Sequence, residues 1–344
     1  MKNVRIVITA HGGPDVLKLV EEEMPVPRSG EVRVRILATG VAFADILMRY
    51  GLYPGTPPLP FSPGYDIVGE VDGVGDGIAD FAVGDRVAAL TQWGGYARYI
   101  CLSAEQLTRV PDELDPAEAV SLVLNYVTAY QMLHRVAEVK AGQRILVHGG
   151  AGGVGTAILQ LGRIAGLEMY ATASRAKHDL ITALGARPID YRTDDFVERV
   201  MQMTGNRGVD AVFDAVGGTN WWRSYKTLKP GGRDVGGILV GYGVSATLRD
   251  GKPSKLIGAV SFALLGLLSL LPDGKRAVWY NISTFKKKKP EWFREDLGKL
   301  FTLLAEKKIA PEIGERLPLR EAARAHELLE HAKVTGKIVL LCQE

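Results

Sequence analysis

The run Ile145-Leu-Val-His-Gly-Gly-Ala-Gly-Gly-Val-Gly155, continued by Thr156-Ala-Ile-Leu-Gln-Leu-Gly-Arg-Ile-Ala165, decides how this chain folds. Ile145 to Val147 is a short apolar run of the kind buried in a parallel sheet. Gly150, Gly152 and Gly155 then spell G-x-G-x-x-G. Val154, Ile158, Leu161 and Ala165 recur at helical spacing. The glycines therefore sit at a strand-to-helix turn, where a tight bend, a backbone close enough to touch a pyrophosphate, and a helix packed hard on its strand are all needed. Gly150, Gly152, Gly153, Val154 and Gly155 are the expected phosphate contacts, because a helix N-terminus offers N–H groups and a positive dipole end. A Gly-rich loop alone means little. Strand, glycines and amphipathic helix together predict a dinucleotide-binding unit.

The second strand, Glu168-Met-Tyr-Ala-Thr-Ala173, ends about 20 residues beyond the glycines, where a carboxylate would hold the ribose 2′-hydroxyl of NAD. This chain has Ser174-Arg-Ala-Lys177 there, with no acid before Asp179. A hydroxyl and two cations, Arg175 and Lys177, suit a 2′-phosphate. NADPH is the expected cofactor.

A chain of 344 residues is too long for one small core and suits two domains. With 47% hydrophobic and 24% charged residues it reads as a soluble globular protein, and a formal charge of +3 gives no argument for nucleic acid. The run Lys286–Lys289 is the one strongly basic spot, read as a solvated loop before Pro290. Two distant cysteines, Cys101 and Cys342, cannot build a disulfide framework or a four-cysteine zinc site, which suggests a reducing, cytoplasmic setting. The N-terminal apolar run soon meets His11-Gly-Gly-Pro14 and reads as a strand and turn, not a signal peptide.

The first hundred residues read as short strands (Val4–Ile8, Val16–Leu19, Glu31–Ala38, Ile67–Val71, Arg86–Ala89, Ala97–Cys101) separated by Gly and Pro, which suggests a compact barrel. Helices are expected at Asp115–Val120 and Thr128–Val136. From about Ala141 strand and helix alternate: Ile145–Val147, the glycine helix, Met169–Ala173, Lys177–Leu184, Pro188–Asp190, Phe196–Met203, Val209–Asp214, then a strand at Asp234–Val240 and another at Ala277–Ser283. That alternation predicts an α/β unit with a doubly wound parallel sheet. Helices at Glu295–Lys307 and Glu321–His331 and a strand at Lys337–Leu341 close the chain.

Several stretches taken together resemble the medium-chain dehydrogenase/reductase superfamily, in its zinc-free quinone oxidoreductase (zeta-crystallin-like) branch. They are Gly40-Val-Ala-Phe-Ala-Asp45, Gly51-Leu-Tyr-Pro54, Pro63-Gly-Tyr-Asp-Ile-Val-Gly-Glu-Val71, Val83-Gly-Asp-Arg-Val87, Gly94-Gly-Tyr-Ala97, Thr128-Ala-Tyr130, the glycine turn, Gly208-Val-Asp-Ala-Val-Phe-Asp-Ala-Val-Gly-Gly218, Leu228-Lys-Pro-Gly-Gly232 and Gly336-Lys-Ile-Val-Leu340. The resemblance implies a GroES-like β-barrel catalytic domain built from residues 1–122 and 286–344, and an inserted Rossmann NADP(H)-binding domain over residues 123–285. It also implies a cleft between them and a homodimer, with NADPH reducing a quinone or another α,β-unsaturated carbonyl. An enoyl or alkenal reductase, or a low-turnover NADPH-binding protein with a structural or membrane-associated role, stand as alternatives.

The departures carry information. Zinc-dependent relatives have Gly-His-Glu where this chain has Gly64-Tyr65-Asp66, and no cysteine-rich lobe lies between Thr91 and Pro116. Without thiolates or imidazoles in place, no metal site is expected. The usual Gly-Val-Asn-Phe is Gly40-Val-Ala42-Phe, so a side chain resembling one that hydrogen-bonds near the nicotinamide or the substrate carbonyl is missing. By resemblance, Tyr53 is the candidate donor to the acceptor's oxygen and Asp45 a candidate to orient a neighbour. Thr128, Tyr191, Val216, Gly217, Gly241 and Tyr242 are further candidate cofactor contacts, and Tyr65 a filler of the vacated ligand position. A final block, Leu256 to Leu271 with Trp279 and Tyr280, is too short and too interrupted to span a bilayer. It has no basic amphipathic face, so burial within the protein or a dimer is the expectation, with membrane docking the less favoured option.

Overall fold

The computed structural model describes residues 2–231, 236–249 and 251–343. It divides into two compact units, one comprising residues 1–125 and 291–344 and the other residues 126–290.

In the first unit, β1 (Lys2–Ile8) and β2 (Leu17–Glu23) form an antiparallel ribbon. Next come β3 (Glu31–Val41), α1 (Phe43–Arg49), β4 (Asp66–Val74), β5 (Arg86–Leu90), β6 (Tyr99–Ser103), β7 (Thr108–Arg109) and α2 (Pro116–Ser121). The second unit holds α3 (Val127–Gln131), β8 (Arg144–His148), α4 (Gly153–Ile164), β9 (Glu168–Ala173), α5 (His178–Ala183), β10 (Arg187–Asp190), α6 (Phe196–Met203) and β11 (Ala211–Asp214). It continues through α7 (Thr219–Lys226), β12 (Ile238–Gly241), β13 (Leu248–Arg249), β14 (Lys252–Pro253), α8 (Lys255–Ser269), β15 (Arg276–Trp279) and α9 (Ile282–Lys288). The chain then returns to the first unit with α10 (Pro290–Ala305), β16 (Ile313–Pro318), α11 (Ala322–Glu330) and β17 (Lys337–Leu341).

The barrel-like sheet runs β16-β17-β3-β4-β5-β7, with β6 also paired to β3. Strand β3 organises it. Val32, Val34, Ile36 and Ala38 point inward while Arg33 and Arg35 alternate outward. Register shifts after Arg33 and Ile36 let one strand serve β4, β6 and β17. A buried ion pair, Lys337 Nζ to Asp66 Oδ2 at 2.9 Å, bolts β17 to β4. Asp66 also accepts the Gly40 N–H.

In the second unit all six main strands are parallel, in the order β10-β9-β8-β11-β12-β15. Ile145, Leu146 and Val147 are fully buried between helices on both faces. The strand order reverses at β8 and β11, the kind of switch point beyond whose C-terminal strand ends open α/β sheets bind ligands. The α/β expectation holds here.

Three local readings need correction. Ser283 lies in α9 and not in a strand, because Asn281 caps that helix by accepting the Thr284 N–H at 2.9 Å. Lys286 to Lys288 form the last turn of α9 rather than a loop, a place where cations meet the negative helix end. Of the expected strand Asp234–Val240, Asp234 and Val235 lie outside the described residues, and the strand found is Ile238–Gly241. The Leu256–Leu271 block is mostly the helix α8, which within the single chain buries Ser261, Leu265 and Leu268 and leaves Leu256, Val260, Phe262, Leu267, Leu270 and Leu271 exposed. No helix among the described residues is long and apolar enough to cross a membrane.

Candidate functional site

Strand β8 ends at His148, and Gly149 turns the chain at φ +69°, a conformation that favours glycine. A Cβ at Gly150 would lie 2.7 Å from the Ala171 Cβ, and one at Gly155 only 2.3 Å from the Gly149 carbonyl oxygen. The protein's own packing demands these two glycines. Gly152 differs. Its φ is −85° and the nearest atom to an added Cβ is the Gly149 oxygen at 3.4 Å, ordinary contact. Nothing in the chain forbids a side chain there, so any demand for glycine comes from what approaches from outside. Gly152 is the N-cap of α4, and Gly153, Val154 and Gly155 precede its first intrahelical hydrogen bond, Thr156 N–H to Gly152 O at 2.8 Å. The cradle fits a pyrophosphate.

Beyond β9, half-buried Ser174 precedes a single helical turn, Arg175–Lys177. Desolvation, and after it the charge of Arg192, lower the Lys177 pKa. Arg192 is therefore a neighbour of Lys177. It follows β10 and lies over the Tyr191 ring at 5.8 Å, with Tyr191 exposed. Ser174, Arg175, Lys177, Tyr191 and Arg192 thus gather at the ends of β9 and β10. Arg192 was missed in the sequence, where its only signal was one more cation next to Tyr191.

A buried hydrogen-bond chain runs beneath the glycine turn. The Gly149 N–H donates to Thr172 Oγ1 at 3.3 Å, and Thr172 Oγ1 lies 3.1 Å from His148 Nδ1. His148 Nε2 lies 3.0 Å from Ser224 Oγ, which donates to Asp214 Oδ2 at 2.7 Å. Asp214 Oδ1 accepts the N–H of Val216 at 2.7 Å and of Gly217 at 3.3 Å. The turn after β8 and the loop after β11 are thereby one hydrogen-bonded body. Burial lowers the His148 pKa, outweighing the pull of Asp214. His148, Ser224 and Asp214 went unread as a group, since only contact across three elements reveals them.

Further along, Gly241 admits no Cβ because the Trp221 indole would lie 2.7 Å from it. Tyr242 N–H donates to Asp214 O at 3.0 Å, and desolvation raises the pKa of its phenol. Thr128 is buried inside a helical run, since Tyr126 before it already has helical angles, φ −76° and ψ −35°.

In the first unit, the Tyr53 and Tyr65 hydroxyls lie 2.8 Å apart with the rings edge to face. Tyr53 is half-buried and Tyr65 is buried. Asp45 is fully buried as the third residue of α1. Its Oδ2 accepts the Ala42 N–H at 2.8 Å and the Tyr96 hydroxyl at 3.4 Å, and its Oδ1 accepts the Gly64 N–H at 3.0 Å. Burial pushes its carboxyl up to about 7 against the pull of those two backbone donors. Asp45 thus ties the start of α1 to the residue before Tyr65. The chain of contacts continues inward: Tyr96 to His326 Nε2 at 3.1 Å, His326 Nδ1 to Arg49 at 3.4 Å, and Arg49 to Glu330. Among the described residues, no group of three or more His, Cys, Asp or Glu is placed to hold a metal ion.

Compared with known proteins, residues 28–112 match the family described as alcohol dehydrogenase GroES-like domain, and residues 184–340 match that described as zinc-binding dehydrogenase. The chain is 34% identical over 340 residues to a quinone oxidoreductase of Pseudomonas aeruginosa, spanning 98% of this chain and 99% of that one. It is 32% identical over 343 residues to the human synaptic vesicle membrane protein VAT-1 homolog, spanning 98% and 86%. The crystal structure of Escherichia coli quinone oxidoreductase complexed with NADPH matches with a TM-score of 0.87 and 30% identity, over 98% of this chain and all of that one.

Proposed function

The chain belongs to the medium-chain dehydrogenase/reductase family, in its zinc-free quinone oxidoreductase branch, and from that premise we propose that it is an NADPH-dependent reductase of a quinone or another α,β-unsaturated carbonyl. The observation that carries the reading is the group of Lys177, Arg175 and Arg192 at the ends of β9 and β10, next to a glycine turn with an open cradle at Gly152. NADP(H) differs from NAD(H) by one 2′-phosphate, and these cations with the Ser174 and Tyr191 hydroxyls form its chemical complement. When bound, the cofactor supplies a hydride from its nicotinamide ring. The chain's part is to hold the pyrophosphate at Gly152–Gly155 and to fix the Val216–Gly217 backbone through Asp214.

Tyr53 is the proposed donor to the acceptor's oxygen as negative charge develops there. Each phenol has one proton, so a Tyr53 hydroxyl that donates to substrate accepts from Tyr65 at 2.8 Å. Tyr65 then steadies the oxygen left behind. Asp45, buried and saturated with donors, acts by holding Gly64 and hence Tyr65 in place.

One observation favours a second reading, an NADPH-binding protein of low turnover. The backbone N–H of Ala42 is taken by Asp45, and its methyl group offers no hydrogen bond. NADPH oxidation by the purified protein against a panel of quinones and enones, with NADH in parallel, separates the cases. Quinone turnover with NADPH well above NADH supports the reductase, and enone turnover alone moves the substrate class. Saturable NADPH binding without oxidation by any acceptor overturns the reductase for the second reading.

A further inference from the structure

Helix α8 has two apolar faces and only one is used. Ser261, Leu265 and Leu268 are buried, the last two in the core with Trp221, Leu239 and Ala277. On the opposite side Leu256, Val260 and Leu267, with Leu270 just past the helix end, are 73%, 50%, 64% and 79% exposed. At 3.6 residues per turn these four, with exposed Ala263 between them, fall on one stripe within an arc of about 80°. Lys255 is the only charged residue in the helix. A solvent-facing helix normally turns polar groups outward, and an apolar stripe of this length marks a docking surface.

The charge around the stripe selects the occupant. Between residues 251 and 276, the segment that holds and flanks the stripe, the chain carries four cations (Lys252, Lys255, Lys275 and Arg276) and a single acid, Asp273, which Lys275 neutralises at 3.9 Å. Lys252 and Lys255 lead into the stripe, and Lys275 and Arg276 follow its end. A second copy of the chain would bring like charges together, whereas an anionic lipid surface is complementary to the cations and takes up the leucines. A helix of 15 residues is too short to span a bilayer but suits an in-plane position at its boundary.

We propose that the outer face of α8 docks this protein on an anionic lipid surface. Leu256, Val260, Leu267 and Leu270 enter the acyl boundary, and the exposed Lys252, Lys255 and Arg276 meet the headgroups. The inner face of the same helix touches the cofactor side of its unit, since Ser261 Oγ accepts the Gly218 N–H at 2.7 Å. Docking therefore sets the loop after β11 near the phase in which apolar acceptors dissolve. The inference stands whether or not the protein turns over.

The test is co-sedimentation of the full chain, without NADPH or acceptor, with vesicles of phosphatidylcholine alone or mixed with phosphatidylserine, at low and high salt. The mixed vesicles are expected to retain the protein, high salt to release it, and phosphatidylcholine alone to retain little. The double variant Leu267→Glu, Leu270→Glu, both sites being exposed, is expected to fold normally by circular dichroism and to lose binding by about tenfold or more. Binding that ignores phosphatidylserine, or a double variant that binds like the parent, overturns the proposal. So does a protein that binds no vesicle. Sedimentation velocity identifies the rival occupant: a dimer that the double variant dissolves, with no vesicle binding, assigns the stripe to a second copy.

Discussion

The Ser224 hydroxyl donates to Asp214 Oδ2 at 2.7 Å, and that one bond fixes the proton positions of the whole chain beneath the glycine turn. With its proton committed to a carboxylate, Ser224 Oγ can only accept from His148 Nε2, 3.0 Å away. His148 is then the Nε2–H tautomer, and its bare Nδ1 accepts from the Thr172 hydroxyl, which in turn accepts the Gly149 N–H. Every member is satisfied in one direction only. Ser224→Ala breaks the middle and strands a buried imidazole N–H, at a cost of about 1–3 kcal/mol. Thermal unfolding should show a fall in Tm of a few degrees; an unchanged Tm would mean that the serine carries no such link.

Gly152 and Gly155 should respond in opposite ways to the same methyl group. Gly155→Ala drives its Cβ to 2.3 Å from the Gly149 oxygen, so the turn must shift and stability should fall by about 1–3 kcal/mol. Gly152→Ala meets nothing closer than 3.4 Å at an ordinary negative φ, so Tm should hold. Its methyl group instead occupies the approach to the α4 N-terminus, and NADPH affinity should drop by about tenfold or more. Fluorescence titration beside a melting curve separates the two. A Gly152→Ala protein that melts early and binds normally would contradict the assignment.

Lys177 and Arg192 are expected to set cofactor choice. Removing one charge-assisted contact to a phosphate costs about 1.5–3 kcal/mol. Lys177→Ala and Arg192→Ala should therefore each raise the NADPH dissociation constant by roughly tenfold to a hundredfold and leave NADH binding almost unchanged. Raised salt should weaken NADPH binding in the parent more than in either variant. An equal loss for both cofactors would place the two cations away from the 2′-phosphate.

The parallel sheet was legible because its strands are apolar runs bounded by glycines, and a buried strand leaves that trace in one dimension. Phe196–Met203 and Lys337–Leu341 match their elements residue for residue. What stayed hidden has a physical pattern. Helix α8 carries apolar residues on nearly every face, so no period separates its buried Leu265 and Leu268 from its exposed Leu267 and Leu270. Helix α7 was unread because Asn220, Arg223 and Lys226 dilute its apolar spacing. The glycine turn named its own ligand class, yet the sequence could not distinguish Gly152, open to solvent, from Gly155, locked by its neighbour. Arg192 and the His148–Ser224–Asp214 chain depend on strand order, which brings residues from separate crossovers to one edge of the sheet.

His326 makes the last prediction, about acid. It is fully buried, and desolvation, followed by the charge of Arg49, lowers its pKa to about 3. In the unfolded chain the imidazole takes a proton near pH 6.5. Below that pH the unfolded state binds the proton that the folded state refuses, so stability falls as pH falls. The loss accumulates from about pH 6.5 to about pH 3 and reaches the order of 5 kcal/mol. Asp45 acts with the opposite sign. Its folded pKa of about 7 lies above the unfolded 3.8, so its contribution is full below about pH 4 and is lost as pH rises towards 7. The two partly cancel between pH 4 and 6.5. His326→Gln retains an acceptor for Arg49 and a donor for Tyr96 but cannot titrate. Urea unfolding across pH 3 to 8 should show the variant losing less stability on acidification than the parent, with the curves converging above pH 7. Parallel curves throughout would mean that His326 takes up its proton within the folded state.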